Sequence, residues 1–309
     1  MHPAYSVILF TTASGAGYGL LALLGLVGFN HGPASSFAFA LIALVIALGL
    51  ITIGLLSSTL HLGHPERAWR AVSQWRSSWL SREGIAALIT YMPALAFGLA
   101  WSGLALPPAA IGGLGVVTAI LCAVTVYCTG KIYDSLATIR AWHQPLTVPV
   151  YLAFALATGA CLLAAISAFF DRFQAVQVVI AAAAVILTAF LKQLYWRAID
   201  AAPQSHTIEA ATGLGRIGGV GQWEVPHTAE NFVQKEMGYA VARKHARRLR
   251  ALVLLLLMAT LVLLALSLLA PFLAIAAATL ALIAAVVERW LFFAEARHVA
   301  MLFYGESRL

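Results

Sequence analysis

Eight stretches of mostly uncharged residues recur along this chain, at about 5 to 28, 34 to 60, 84 to 106, 111 to 133, 148 to 169, 174 to 195, 250 to 270 and 272 to 294. Crossing roughly 30 Å of hydrocarbon as a helix takes about 20 such residues, at about 1.5 Å of rise each. A chain of 309 residues that is 62% hydrophobic and only 10% charged has too little polar surface to cover a water-soluble core. The sequence therefore predicts an all-α polytopic membrane protein with eight transmembrane helices in a bundle. We read residues 1–309 as a single membrane domain with extramembrane loops at about 61–83 and 198–249.

In such a chain a formal charge of +7 is a matter of topology, and it gives no reason to expect a nucleic-acid partner. All of the 19 Lys and Arg residues except Arg172 and Arg289 fall on the side shared by the two termini or at the helix ends that open onto it. By the positive-inside tendency that side is the cytoplasm, and a bacterial inner membrane is the expected location. The first apolar run is long and has no basic leader, so it reads as a retained span rather than a cleaved signal. Its small residues Ala13, Gly15, Ala16, Gly17 and Gly19 allow close helix contact in lipid. Cys122, Cys128 and Cys161 sit within spans in no metal-ligand spacing, as small buried hydrophobes do. GLGRIGG at 213–219 follows no strand and is not read as a phosphate loop. Trp142 and Tyr151 read as interface anchors, and Lys192, Tyr195, Trp196 and Arg197 as the exit of the sixth span.

Polar residues concentrate where helices reach the charged side. The stretch 57–84, SSTLHLGHPERAWRAVSQWRSSWLSREG, carries His61, His64 and Glu83 between two spans. Lys131, Tyr133 and Asp134 end the fourth span, and Glu288 with Arg289 interrupts the last turns of the eighth. A pocket built from these helix ends is apolar below and polar above, which suits a lipid-soluble ring that exchanges hydrogen bonds and protons. Histidine titrates near neutral pH, and a carboxylate desolvated at the membrane edge shares that work. Each residue also has a structural reading: His64 shapes the turn before Pro65, Glu83 pairs with Arg82 or Arg76, Glu288 and Arg289 tie helices together, and Lys131, Tyr127 and Tyr133 anchor a helix end. Haem between helices calls for histidines inside the spans, whereas all 9 here flank spans or occupy loops; zinc lacks a convincing ligand set. A transporter needs ionisable groups near the midplane and repeated halves, and neither is visible.

STLHLGHPERAWRAV followed by RSSWLSREG resembles the membrane-anchor subunits of the dimethyl sulfoxide reductase family, which include those of sulfite:quinone oxidoreductases. VYCTGKIYDSLATIR, HTAENFVQKEMGYAVARKHARRLR and ERWLFFAEARHVAMLFYG extend the likeness over the whole chain. The resemblance implies an eight-span anchor that binds quinone or quinol as an exchangeable substrate and holds no haem, molybdenum or iron–sulfur centre of its own. Its implied partners are an iron–sulfur electron-transfer subunit, a molybdopterin catalytic subunit and membrane lipids. The family's quinone-site histidine falls on His61 and its carboxylate on Glu83. His64 before Pro65 and the long basic loop depart from the dimethyl sulfoxide reductase pattern, and the loop favours the sulfite-oxidising relatives. The remaining expectations are a quinol-oxidising anchor of an S- or N-oxide reductase, and a structural anchor whose partner carries the quinone site.

Overall fold

The computed structural model describes residues 3–31, 34, 36–60, 62–103, 106–201, 207–224, 229, 231–237 and 241–304, without the side chains of 241–244. The long helices are α1 (Tyr5–His31), α2 (Phe37–Thr59), α3 (Trp79–Ser102), α4 (Pro108–Asp134), α5 (Thr147–Phe169) and α6 (Ala175–Ala201). After the short helices α7 (Ile208–Thr212) and α8 (Phe232–Met237) come α9 (Val241–Ser267) and α10 (Leu273–Glu295). Eight of these helices are long and apolar enough to cross a membrane, as the sequence predicts. The eighth crossing returns the chain to the side on which α1 begins.

Local chemistry sets the helix starts. Ser36 and Ser78 cap α2 and α3 by accepting from the Phe39 and Ser81 backbone amides. Pro107 and Pro108 open α4, where a missing amide hydrogen costs nothing. The Ser78 cap moves the start of α3 to Trp79, ahead of the expected 84, so Glu83 lies inside a helix rather than in front of it. At the other end α6 continues past the expected 195 to Ala201, and Lys192 lies within it. The helical character expected from residue 228 onward resolves into α8 and the start of α9, while Thr228 itself lies outside the described residues.

α1 and α5 form the centre. Their most apolar windows are 78% and 72% buried, against 22% for α9, whose Leu255, Met258 and Val262 face outward as lipid-facing residues do. Small residues bring the central pair together: a Cβ on Gly19 would collide with the Ala155 carbonyl, and one on Gly159 with the Gly19 backbone. Gly25 and Gly115 make the equivalent backbone contact between α1 and α4. The glycines of the first span thus replace the hydrophobic drive that is absent in lipid with close backbone packing. α2, α4 and α10 also pack on α1, α3 packs on α4, and α6 joins α5 to the paired α9 and α10. Hydroxyls in this core donate to the carbonyl one turn back, as Ser14 does to Phe10 at 2.6 Å and Thr188 to Ala184 at 2.7 Å. Cys122, Cys128 and Cys161 are free and buried.

Loops and ends on the starting side pack together. Ser57 Oγ donates to the Ser6 carbonyl at 3.1 Å, and the Val299 amide to Thr138 at 3.1 Å, where the C-terminal 3-10 turn Val299–Tyr304 meets the α4–α5 connection. Gln222 and Asn231 hold the long basic loop to that turn through the Phe303 carbonyl and the Tyr304 hydroxyl. Arg250 on α9 bridges Asp200 on α6 and Glu295 on α10, fastening three helix ends on this face.

Candidate functional site

Ionisable groups within hydrocarbon are costly unless paired, so where they cluster is informative. Counted at about 1.5 Å per residue, Thr12, Glu83, Thr129, Tyr151, Lys192 and Glu288 all lie about 6 to 14 Å inside the charged-face ends of their helices. They form a buried polar band at one depth of the bundle.

One end of the band joins α3 to α4. Glu83 is 3% exposed and accepts a hydrogen bond from Thr129 Oγ1. The same hydroxyl lies 3.1 Å from the Thr125 carbonyl, so it has an acceptor on either side. Deeper in the bundle the hydroxyls of Thr90 and Thr125 continue the contact at 3.2 Å.

The other end joins α6 to α10. Lys192, Glu288 and Arg289 are 1%, 0% and 2% exposed. Glu288 Oε1 lies 2.5 Å from Lys192 Nζ, and its Oε2 lies 3.3 Å from Arg289 Nη1. One carboxylate therefore serves two cations. The excess positive charge meets aromatic faces: Lys192 Nζ is 3.8 Å from the Tyr195 ring centroid, and Arg289 Cζ is 3.6 Å from that of Tyr151.

Thr129 from one end and Arg289 from the other line one cavity between α1, α4, α5 and α10. Its wall includes Thr11, Thr12, Thr129, Tyr151, Thr158 and Arg289. Its volume is about 20 Å³, counted as the space that the centre of a water molecule can occupy. Thr11, Thr12 and Thr158 give their hydroxyl hydrogens to carbonyls of their own helices and leave lone pairs for the cavity. The buried Tyr151 Oη has no hydrogen-bond partner among the described residues, while Arg289 Nη1 has the Glu288 carboxylate at 3.3 Å.

Glu83, Glu288 and Arg289, expected from the sequence to be functional, are thus brought into one buried neighbourhood. Tyr133 joins them at second hand: it is 8% exposed and stacks on Tyr151 at 5.6 Å in a ring cluster with Trp142, Phe292 and Phe293. Lys131 stays at the rim, paired with Asp134 and 5.7 Å from the Trp79 ring. His64 is on the surface, its Nδ1 3.0 Å from Glu66 Oε1, and it lines no part of the cavity. Neither Arg82 nor Arg76 pairs with Glu83; Arg82 donates to the Trp75 and Arg76 carbonyls instead. His61 lies outside the described residues.

Two readings need correction. Trp142 and Tyr151 are core residues rather than interface anchors: each is 4% exposed, and Trp142 Nε1 donates to the Phe292 carbonyl at 2.9 Å. Lys192 likewise does not mark a helix exit but faces Glu288 inside the bundle. Thr129, Tyr151 and Lys192 are the site residues that sequence reasoning misses. Only Lys192 gives a signal, as a lone cation in an apolar run that needs a buried anion.

Outside the bundle, Pro65–Gln74 forms an exposed 3-10 segment. Its three-residue period aligns Trp69 with Val72 and Arg67 with Arg70, and Trp75 and Arg76 follow at its end. Among the described residues, no three His, Cys, Asp or Glu side chains gather as a metal site requires.

A model of the family described as "DMSO reductase anchor subunit (DmsC)" matches residues 1–305. A sulfite dehydrogenase subunit of Allochromatium vinosum is 34% identical over 328 aligned positions, covering 98% of this chain and 99% of the relative.

Proposed function

The chain belongs to the DMSO reductase anchor subunit family, and from that premise we propose that it is the quinone-binding membrane anchor of a molybdopterin iron–sulfur oxidoreductase. In this reading the iron–sulfur subunit docks on the charged face and passes electrons between the catalytic subunit and quinone. The likeness to the sulfite dehydrogenase relative supports sulfite as the electron source, and quinone then takes up two electrons and two protons. The basic loops and helix ends support a cytoplasmic position for both termini and the docking face, in a bacterial inner membrane. The exposed Arg and Trp stripes of Pro65–Gln74 suit a surface that meets a partner or lipid headgroups.

The observation that carries the reading is the buried Glu83 carboxyl, held on the charged side of the bundle by Thr129, which shares the wall of one cavity with Arg289. Glu83 exchanges protons with the quinone oxygens, and Arg289 offsets negative charge that develops on the ring. The family resemblance gives His61 the hydrogen bond to a ring carbonyl. Lys131 sits at the rim on the side where the ring enters, with its charge balanced by Asp134. The test is Glu83→Gln in the assembled complex. Quinone-linked turnover is expected to fall about 100-fold, within the usual range for a general acid–base group, while turnover with a soluble dye is kept. Unchanged quinone turnover refutes the assignment.

A further inference from the structure

We propose that the cavity between α1, α4, α5 and α10 is a water chamber that passes protons to Glu83 through the Thr129 hydroxyl. The inference rests on the quinone reading above and specifies how that site obtains its protons.

Size excludes the ring itself from this space. A cavity of about 20 Å³ by this measure holds about one or two water molecules, whereas a dry cavity that accepts benzene measures about 150 Å³. The quinone ring therefore meets Glu83 from outside the cavity. Polarity favours water over an empty void, because an internal water needs about 2–4 polar partners. Tyr151 Oη supplies a buried donor without a hydrogen-bond partner among the described residues, and the hydroxyls of Thr11, Thr12 and Thr158 supply acceptors.

Charge gives the chamber a direction. On the α10 side one carboxylate faces two cations, so an excess proton finds no resting place beside Arg289. On the opposite side Thr129 touches the Glu83 carboxylate. A proton on the chamber water bonds to Thr129 Oγ1 while the hydroxyl's own proton passes to Glu83. Thr129 ends as it began and Glu83 becomes neutral. Glu83 then gives that proton to quinone as two electrons arrive from the iron–sulfur subunit, and the second proton follows by the same route. Thr129 is thus a relay between water and the group that meets the ring.

The test compares Thr129→Val, Thr129→Ser and Ala285→Val in the assembled complex. The first removes the hydroxyl, the second keeps it, and the third adds bulk to the cavity wall one helical turn from Arg289 without removing a polar group. Dye-linked turnover and the presence of every partner subunit in the purified complex check assembly. Quinone-linked turnover of Thr129→Val and Ala285→Val is expected to fall at least about tenfold, with a larger solvent deuterium isotope effect, and Thr129→Ser to stay near the parent. Parent turnover and an unchanged isotope effect in both Thr129→Val and Ala285→Val overturn the chamber. If Glu83→Gln abolishes quinone turnover while these two variants do not, the chamber alone fails; if Glu83→Gln also changes nothing, the quinone reading fails with it.

Discussion

Replacing Glu288 by Gln tests whether the buried charges of α6 and α10 act as one unit. Glu288 is the sole carboxylate within ion-pair distance of Lys192 and Arg289 among the described residues. At the observed 2.5 and 3.3 Å, an effective dielectric of about 20 gives gross attractions of roughly 7 and 5 kcal/mol. Much of that is offset by the cost of bringing the charges out of water, and removing one partner of a buried pair typically costs about 3–5 kcal/mol. The Glu288→Gln variant strands two cations that cannot reach solvent, so its folded-to-unfolded ratio should fall by about two to four orders of magnitude. Lys192→Met removes nearly as much contact yet leaves Glu288 and Arg289 as a neutral pair. It is therefore expected to cost much less, and the ranking is more diagnostic than either value. Cys122, Cys128 and Cys161 are free and buried, so maleimide labelling read in the anchor band of the purified complex during heating reports unfolding of the bundle. Equal melting of the two variants refutes the charge argument, as does parental melting of Glu288→Gln.

Gly159→Ala places a methyl group against the Gly19 backbone and is expected to destabilise the bundle by about 1–3 kcal/mol in the same labelling assay. Gly49→Ala, where an added Cβ meets nothing within 4 Å, serves as its neutral or slightly stabilising control. His64→Ala removes an exposed hydrogen-bond contact with Glu66, so quinone-linked turnover should remain within about twofold of the parent. A large loss there would return His64 to the quinone site.

The spans were legible because hydrocarbon thickness imposes a length on any crossing helix, whatever its neighbours. The depth of the site was legible for a related reason: Glu83, Glu288 and Arg289 are too polar for lipid and had to be satisfied within the bundle or at its edge. Their partners were not legible. Whether Glu83 meets Arg82, one residue away, or Thr129 on another helix depends on how α3 and α4 rotate against each other, and the two sequence segments do not record that angle. Lys192 shows the same limit from the other side. A lysine near the end of an apolar run can snorkel to the surface or turn inward, and what decides is the presence of Glu288 across the α6–α10 region. Aromatic residues misled for a comparable reason. Trp142 and Tyr151 flank a proline-marked helix start, where interface anchors are common, but the C-terminal end of α10 covers them with Phe292. That cover makes Tyr151 a wall of the cavity instead of a membrane anchor, and it leaves the Tyr151 hydroxyl buried beside Arg289. The chemistry of the site thus depends on long-range packing of α10 against α5, which apolar periodicity within either helix could not reveal.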